Sequence, residues 1–157
     1  MIVKVKGIAY DISGSPIILL TDNTEQKVLP IWVGLLEAHS IAMAMEGEPP
    51  PRPMTHDITL TICQTLGAQV TGVEITSVKD NTYFAELYLA SGGDNYLIDI
   101  RPSDAIALAI RAEIPITISQ DMQEQMMEMQ EIIDENTQKE LEQLSKELLD
   151  NYKKSLH

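Results

Sequence analysis

A chain of 157 residues and 17.5 kDa holds one compact domain with room for an appendage, and 44% apolar residues exclude general disorder. Its 24 acidic residues outnumber its 11 basic ones, for a net charge of −13 at pH 7, so nucleic acid or any other polyanion must find a local basic site rather than a broad face. A single cysteine, Cys63, excludes an intramolecular disulfide and a Cys-rich zinc site. The first residues alternate apolar with basic, Met1-Ile2-Val3-Lys4-Val5-Lys6, as a strand does and a signal peptide does not. No stretch approaches the roughly 20 apolar residues of a membrane span, so the expectation is a soluble cytoplasmic protein with no membrane partner.

In chain order, residues 2–10 read as a strand, Ser13-Gly14-Ser15-Pro16 as a turn, and Ile17–Leu20 and Lys27–Val33 as two more strands. Leu35–Met45 carries Ala38, Ile41, Ala42 and Met45 at helical spacing. Glu48–Pro53 has four prolines in five positions and cannot be regular structure. Thr55-His56-Asp57 opens a second helix, with Ile58, Ile62 and Leu66 as its apolar stripe and Gly67 as its stop. Val70–Lys79, Tyr83–Ala90 and Tyr96–Ile100 read as strands, Ser103–Ala112 as a third helix and Ile114–Ile118 as a last strand. Aligned, Ile31–Ala38 and Ile98–Ala105 echo each other as strand, sharp turn, then an acid-Ala step into an Ala-rich helix. The expected fold is α+β: a curved, mixed, largely antiparallel sheet with short helices from two such units.

Composition breaks near Ser119, so two regions are expected, 1–118 and an acidic, Met-rich helical tail at 119–157. The tail holds no Gly or Pro and 10 acids against 4 bases. Met122, Met126, Met129 and Ile133, then Leu141, Leu144, Leu148 and Tyr152, follow helical spacing, with a capping box at Thr137–Glu140 between them. One helix or two, the stripe needs an apolar surface on the body or on a second copy, or else lines a Met-rich groove.

Chemistry concentrates in Arg52-Pro53-Met54-Thr55-His56-Asp57 and Arg101-Pro102-Ser103-Asp104. Each sets an Arg-Pro step before a hydroxyl residue and an acid at a helix start, where free N–H groups and a guanidinium suit a phosphate. The same residues serve equally as helix caps, and Asp99 and Arg101, two apart on a strand, as a plain ion pair. His56 is the candidate for proton transfer, since imidazole titrates near neutrality. Its other reading is partner to a buried carbonyl. His39 and His157 read as peripheral and Cys63 as core. Glu37, Asp57, Asp99 and Asp104 offer hard oxygen ligands for magnesium or manganese, although no contiguous metal motif is present. Walker, Rossmann and G-x-S-x-G patterns are absent.

These segments together, with Leu29-Pro30-Ile31-Trp32-Val33-Gly34, Glu37-Ala38 and the run Arg101–Ala109, resemble the bifunctional nuclease (BFN) domain family over roughly residues 1–120. The resemblance implies an α+β domain, dimeric or of higher homo-oligomeric order, with activity on DNA and RNA. It carries over to motif positions only, Glu37, Arg52, Thr55, His56, Asp57, Arg101, Ser103 and Asp104; their residue types nominate Glu37, His56, Asp57 and Asp104 as catalytic candidates and Arg52, Arg101, Thr55 and Ser103 as phosphate ligands. Relatives frequently end in a helical motif of excision-repair nucleases, whose pattern residues 140–156 lack. The alternative is a non-enzymatic regulatory or small-anion-binding module that uses the tail for protein contacts. The nuclease reading needs the two Arg-Pro steps to face a shared hollow.

Overall fold

A computed structural model of the chain describes residues 1–132. Strands β1 (Ile2–Tyr10), β2 (Pro16–Thr21) and β3 (Lys27–Trp32) come first, followed by helices α1 (Leu35–Glu46) and α2 (Thr55–Thr65). Next are β4 (Gln69–Lys79), β5 (Thr82–Ser91), β6 (Asp94–Ile100), α3 (Pro102–Ala112) and β7 (Ile116–Ile118), and finally α4 (Gln120–Gln123) and β8 (Met127–Glu128). The strands make one mixed, open sheet in the order β6-β5-β4-β7-β1-β2-β3-β8. Only β4 and β7 run parallel among these neighbours; the other pairs are antiparallel, as an α+β chain of short connections favours. The β4–β5 turn places Asp80 and Asn81 both at positive φ (50° and 60°), the tight hairpin geometry that Asp and Asn tolerate.

Alternate strand residues enter a single core: Val70, Val73 and Ile75 from β4, Ala85, Leu87 and Leu89 from β5, and Ile18, Leu20, Leu29 and Ile31 from β2 and β3. Helix α3 is enclosed along its middle, Ala105 to Ala109 being buried without a break. It lies between α1, α2 and the sheet, and the alanines permit the close approach. The two strand–helix units, β3 into α1 and β6 into α3, thus meet through their helices.

One apolar face stays uncovered among the described residues, and one expectation needs correcting. The Ile58, Ile62, Leu66 stripe of α2 faces solvent, and Leu60 and Cys63 pack on the core instead. Periodicity marks an apolar face without saying what covers it. The methionine stripe does not run as one helix through 122–128. Met122 is fully buried from α4, which ends after one turn, and Met127-Glu128 pairs with Lys27-Val28 on the outer edge of β3. The unpaired backbone groups of that edge, with the bond from Met129 N–H to Gln26 O at 2.8 Å, outweigh helix propensity there. The packed body therefore extends past Ser119, whose hydroxyl accepts from Met122 N–H. Ile133, the 137–140 capping box, the Leu141–Tyr152 stripe and His157 lie outside the described residues. Among the described residues no helix is long and apolar enough to cross a membrane.

Candidate active site

Three helix N-termini converge on one cluster, and each presents an acid at its third position: Glu37 on α1, Asp57 on α2 and Asp104 on α3. Acids favour that position because it neutralises the free N–H groups and the positive end of the helix. Asp57 shows this directly, its Oδ2 accepting from Met54 N–H at 2.8 Å. Pro102 at the start of α3 fixes the turn that aims Arg101 outward.

Arg101 links two of the acids. Its Nε and Nη2 donate to Asp104 Oδ2 and Oδ1 at 2.7 and 3.1 Å, a side-on bidentate pair, and its Nη1 donates to Glu37 Oε1 at 2.9 Å. Its side chain remains 64% exposed. His56 lies behind, with Nε2 2.8 Å from Asp104 Oδ1 and Nδ1 2.8 Å from Ser40 Oγ. The neutral tautomer consistent with both contacts carries its proton on Nε2, facing the carboxylate, and accepts the Ser40 hydroxyl proton at Nδ1. Arg111 closes the far side. Its Nε donates to Asp57 Oδ1 at 3.2 Å, Nη1 to Ala107 O at 3.0 Å, and Nη2 to Ser40 O and Oγ at 3.1 and 3.2 Å.

Burial pushes the Asp104 carboxyl up, but the hydrogen bonds from Arg101 and His56 more than offset this, so it titrates below its ordinary value. Glu37 is likewise lowered, first by its own backbone N–H and then by Arg101. The two carboxylates hold the Arg101 proton more tightly than usual. The cluster is therefore a set of charged groups at neutral pH around one imidazole.

The sequence profile of the bifunctional nuclease domain matches residues 18–131. The chain belongs to the bifunctional nuclease domain family. It is similar to an uncharacterized protein of Mycobacterium tuberculosis, 34% identical over 119 residues that cover 75% of this chain and 71% of that one. It is similar also to Bifunctional nuclease 2 of Arabidopsis thaliana, 32% identical over 108 residues, and to Bifunctional nuclease 1 of Oryza sativa, 29% over 106 residues. These matches cover 67% and 66% of this chain but only 33% and 32% of the plant proteins.

Within this bifunctional nuclease domain, Glu37, His56, Asp57, Arg101 and Asp104 belong to one hydrogen-bonded network. The other named positions lie differently. Arg52 is exposed on the proline loop and makes no hydrogen bond or ion pair among the described residues. Thr55 is exposed at the start of α2, whereas Ser103 is buried. Asp99 sits on β6 opposite Glu86 of β5, away from the cluster's hydrogen bonds. The grouping of Glu37, Asp57, Asp99 and Asp104 as metal ligands does not assemble: among the described residues no three His, Cys, Asp or Glu side chains converge to hold an ion. A cleft of about 530 Å³ lies beside the Asp57–Arg111 pair, walled by Pro49, Pro50, Pro53 and Ile110, and neither Arg52 nor Arg101 lines it. The second guanidinium of the cluster is thus Arg111, not Arg52: the shared hollow expected between the two Arg-Pro steps is not found among the described residues, and a phosphate site must rest on Arg101 without Arg52.

Ser40 and Arg111 were not legible as site residues, though helical spacing held a clue. Ser40 falls one turn after Glu37, and Arg111 two turns after Asp104, so each continues the face of an acid already singled out.

Proposed function

We propose that this domain hydrolyses phosphodiester bonds in DNA and RNA at the Glu37–Arg101–Asp104–His56 cluster. The observation that carries the reading is the half-buried His56 imidazole, fixed on Asp104 at 2.8 Å, directly behind an exposed guanidinium. A guanidinium has five N–H donors and Arg101 spends three, so two remain for phosphate oxygens and for the charge that develops on them in the transition state. Asp104 orients the imidazole through its contact with Nε2. The imidazole is the group that exchanges a proton with the attacking or leaving oxygen, and at Nδ1 that oxygen must take the place of the Ser40 hydroxyl bonded there. Arg52 and Thr55 are exposed near His56 in the chain, but neither side chain joins the cluster's hydrogen bonds. The names of the plant relatives support this chemistry class.

The test compares wild type with His56→Ala and Arg101→Ala on single-stranded DNA and RNA, each protein freed of contaminating nucleases. Loss of cleavage by about 100-fold or more in both variants is expected, the scale typical of removing a general acid–base or a transition-state donor. Equal cleavage by all three would assign the activity to something else.

One observation favours a second reading, a small-anion-binding module without catalysis. The three acids of the network outnumber its two guanidinia, which disfavours a long polyanion more than a small ligand. Thermal stability separates the two: a shift with a mononucleotide and none with oligonucleotides selects the second.

A further inference from the structure

We infer that two copies of this chain join through β6, continuing the sheet across a two-fold axis at Leu97. Among the described residues, strand β6 is a sheet edge seven residues long, paired to β5 without a register shift. It contains no lysine, proline or bulge, the usual means of blunting an edge. The opposite edge, β8, has only two residues.

The side chains of β6 point to the same conclusion. Tyr96 and Ile98 lie opposite Leu89 and Leu87, so they share the core-facing side of the sheet, yet they are 50% and 44% exposed. The described helices make their main sheet contacts with β4, β5 and β2 rather than with β6. Leu97, on the other side, is 57% exposed.

A second copy fits this edge by its own sequence. Antiparallel pairing about Leu97 overlaps all seven residues and sets Tyr96 opposite Ile98, Asp99 opposite Asn95 and Asp94 opposite Ile100. The central residues Tyr96, Leu97 and Ile98 meet apolar partners, the end pair sets Asp94 against Ile100, and no acid faces an acid. Slipping the pairing by one residue sets Asp94 against Asp99 in one direction and a core-facing residue against an outward one in the other.

The axis stands perpendicular to the sheet, which keeps both helical layers on the same side. Strand pairing alone buries less than the roughly 1,200–2,000 Å² of a stable interface. The exposed α2 stripe of Ile58, Ile62 and Leu66 supplies more, because the bond from Ser91 Oγ to Gly67 O pins the end of α2 beside the β5 residue that pairs with Asp94. This inference is independent of the reaction assigned to the cluster.

Sedimentation equilibrium of the full chain at micromolar concentration is expected to give about twice 17.5 kDa. Leu97→Lys places like charges on the axis and is expected to weaken association at least tenfold while keeping a cooperative thermal transition. Leu97→Cys is expected to form a reducible covalent dimer under mild oxidation. Wild type and Ser13→Cys, on an exposed turn, should not. Because the cysteine variant reads proximity directly, it decides the matter even if the lysine variant unfolds. A monomeric wild type, including one whose edge is covered by its own residues 133–157, overturns the inference. So does a dimer that Leu97→Lys leaves intact and Leu97→Cys fails to cross-link.

Discussion

Two arginines serve the same cluster in opposite ways. Arg111 is 10% exposed and spends its donors on one carboxylate, one helix carbonyl and both oxygens of Ser40. Arg101 is 64% exposed, bonds only to carboxylates, and keeps two N–H groups unspent. The first ties α1, α2 and α3 together from inside, and the second presents charge at the surface where those helices begin. A buried guanidinium is useful to the fold because its fork satisfies several acceptors at once. An exposed one is useful to chemistry because water, or a phosphate, can reach it.

The sharpest way to break this contrast is to remove each guanidinium in turn. Arg111→Ala leaves Asp57 and the Ser40 carbonyl without their partner, and is expected to cost about 3–5 kcal/mol in urea unfolding at constant m-value. Arg111→Lys should recover only part of that, since a point charge cannot span the same acceptors. Arg101→Ala is expected to cost about 1 kcal/mol or less, because its pairs are solvated, while abolishing cleavage. If the two substitutions destabilise equally, the division between an inner and an outer arginine fails.

The elements were legible because period-2 and helical patterns are local. Lys27–Val33, Leu35–Met45 and Thr55–Leu66 fold as strand, helix and helix close to their expected limits. The pairing of Glu37 with Asp104 was also within reach, since the echo of Ile31–Ala38 in Ile98–Ala105 aligns those two acids, and Arg101 holds both. What local patterns could not reveal was partnership across the chain. Arg111 and Asp57 are 54 positions apart, and Ser40 meets His56 only because α1 and α2 both pack around α3. The outward face of α2 escaped for a related reason: an apolar stripe looks the same whether the body or another molecule covers it.

Acid titration sharpens the comparison by isolating the outer arginine. Glu37 and Asp104 have ordinary values of 4.5 and 3.8 and are lowered in the folded chain. The folded state thus favours their ionised forms. Their contribution to stability is complete above pH about 4.5 and declines as pH falls through the lowered folded values. In Arg101→Ala, Glu37 keeps only its backbone N–H and Asp104 only His56, so stability should fall less steeply below that pH. Arg111 bonds to neither acid, so a conservative Arg111→Lys variant should keep the wild-type acid limb. Equal slopes for wild type and Arg101→Ala in pH-dependent urea unfolding would show that Arg101 does not set those two titrations.

The smallest expected change is the most selective. Gly34 caps α1 with φ −74° and ψ 165°, extended backbone that alanine adopts freely. A Cβ there would overlap Glu37 Oε2, which folds back over the start of its own helix. Gly34→Ala must therefore displace a flexible carboxylate rather than strain the chain. The stability change should be within about 0.5 kcal/mol, because the lost contact is partly offset by reduced freedom of the unfolded chain. Arg101 would keep its bidentate grip on Asp104 but lose the bond that fixes its other nitrogen. Cleavage should then fall severalfold rather than vanish, and the acid limb should lose the share due to Glu37 while keeping that of Asp104. Unchanged cleavage and an unchanged acid limb would remove Glu37 from the cluster's function and leave it as a helix-terminal acid.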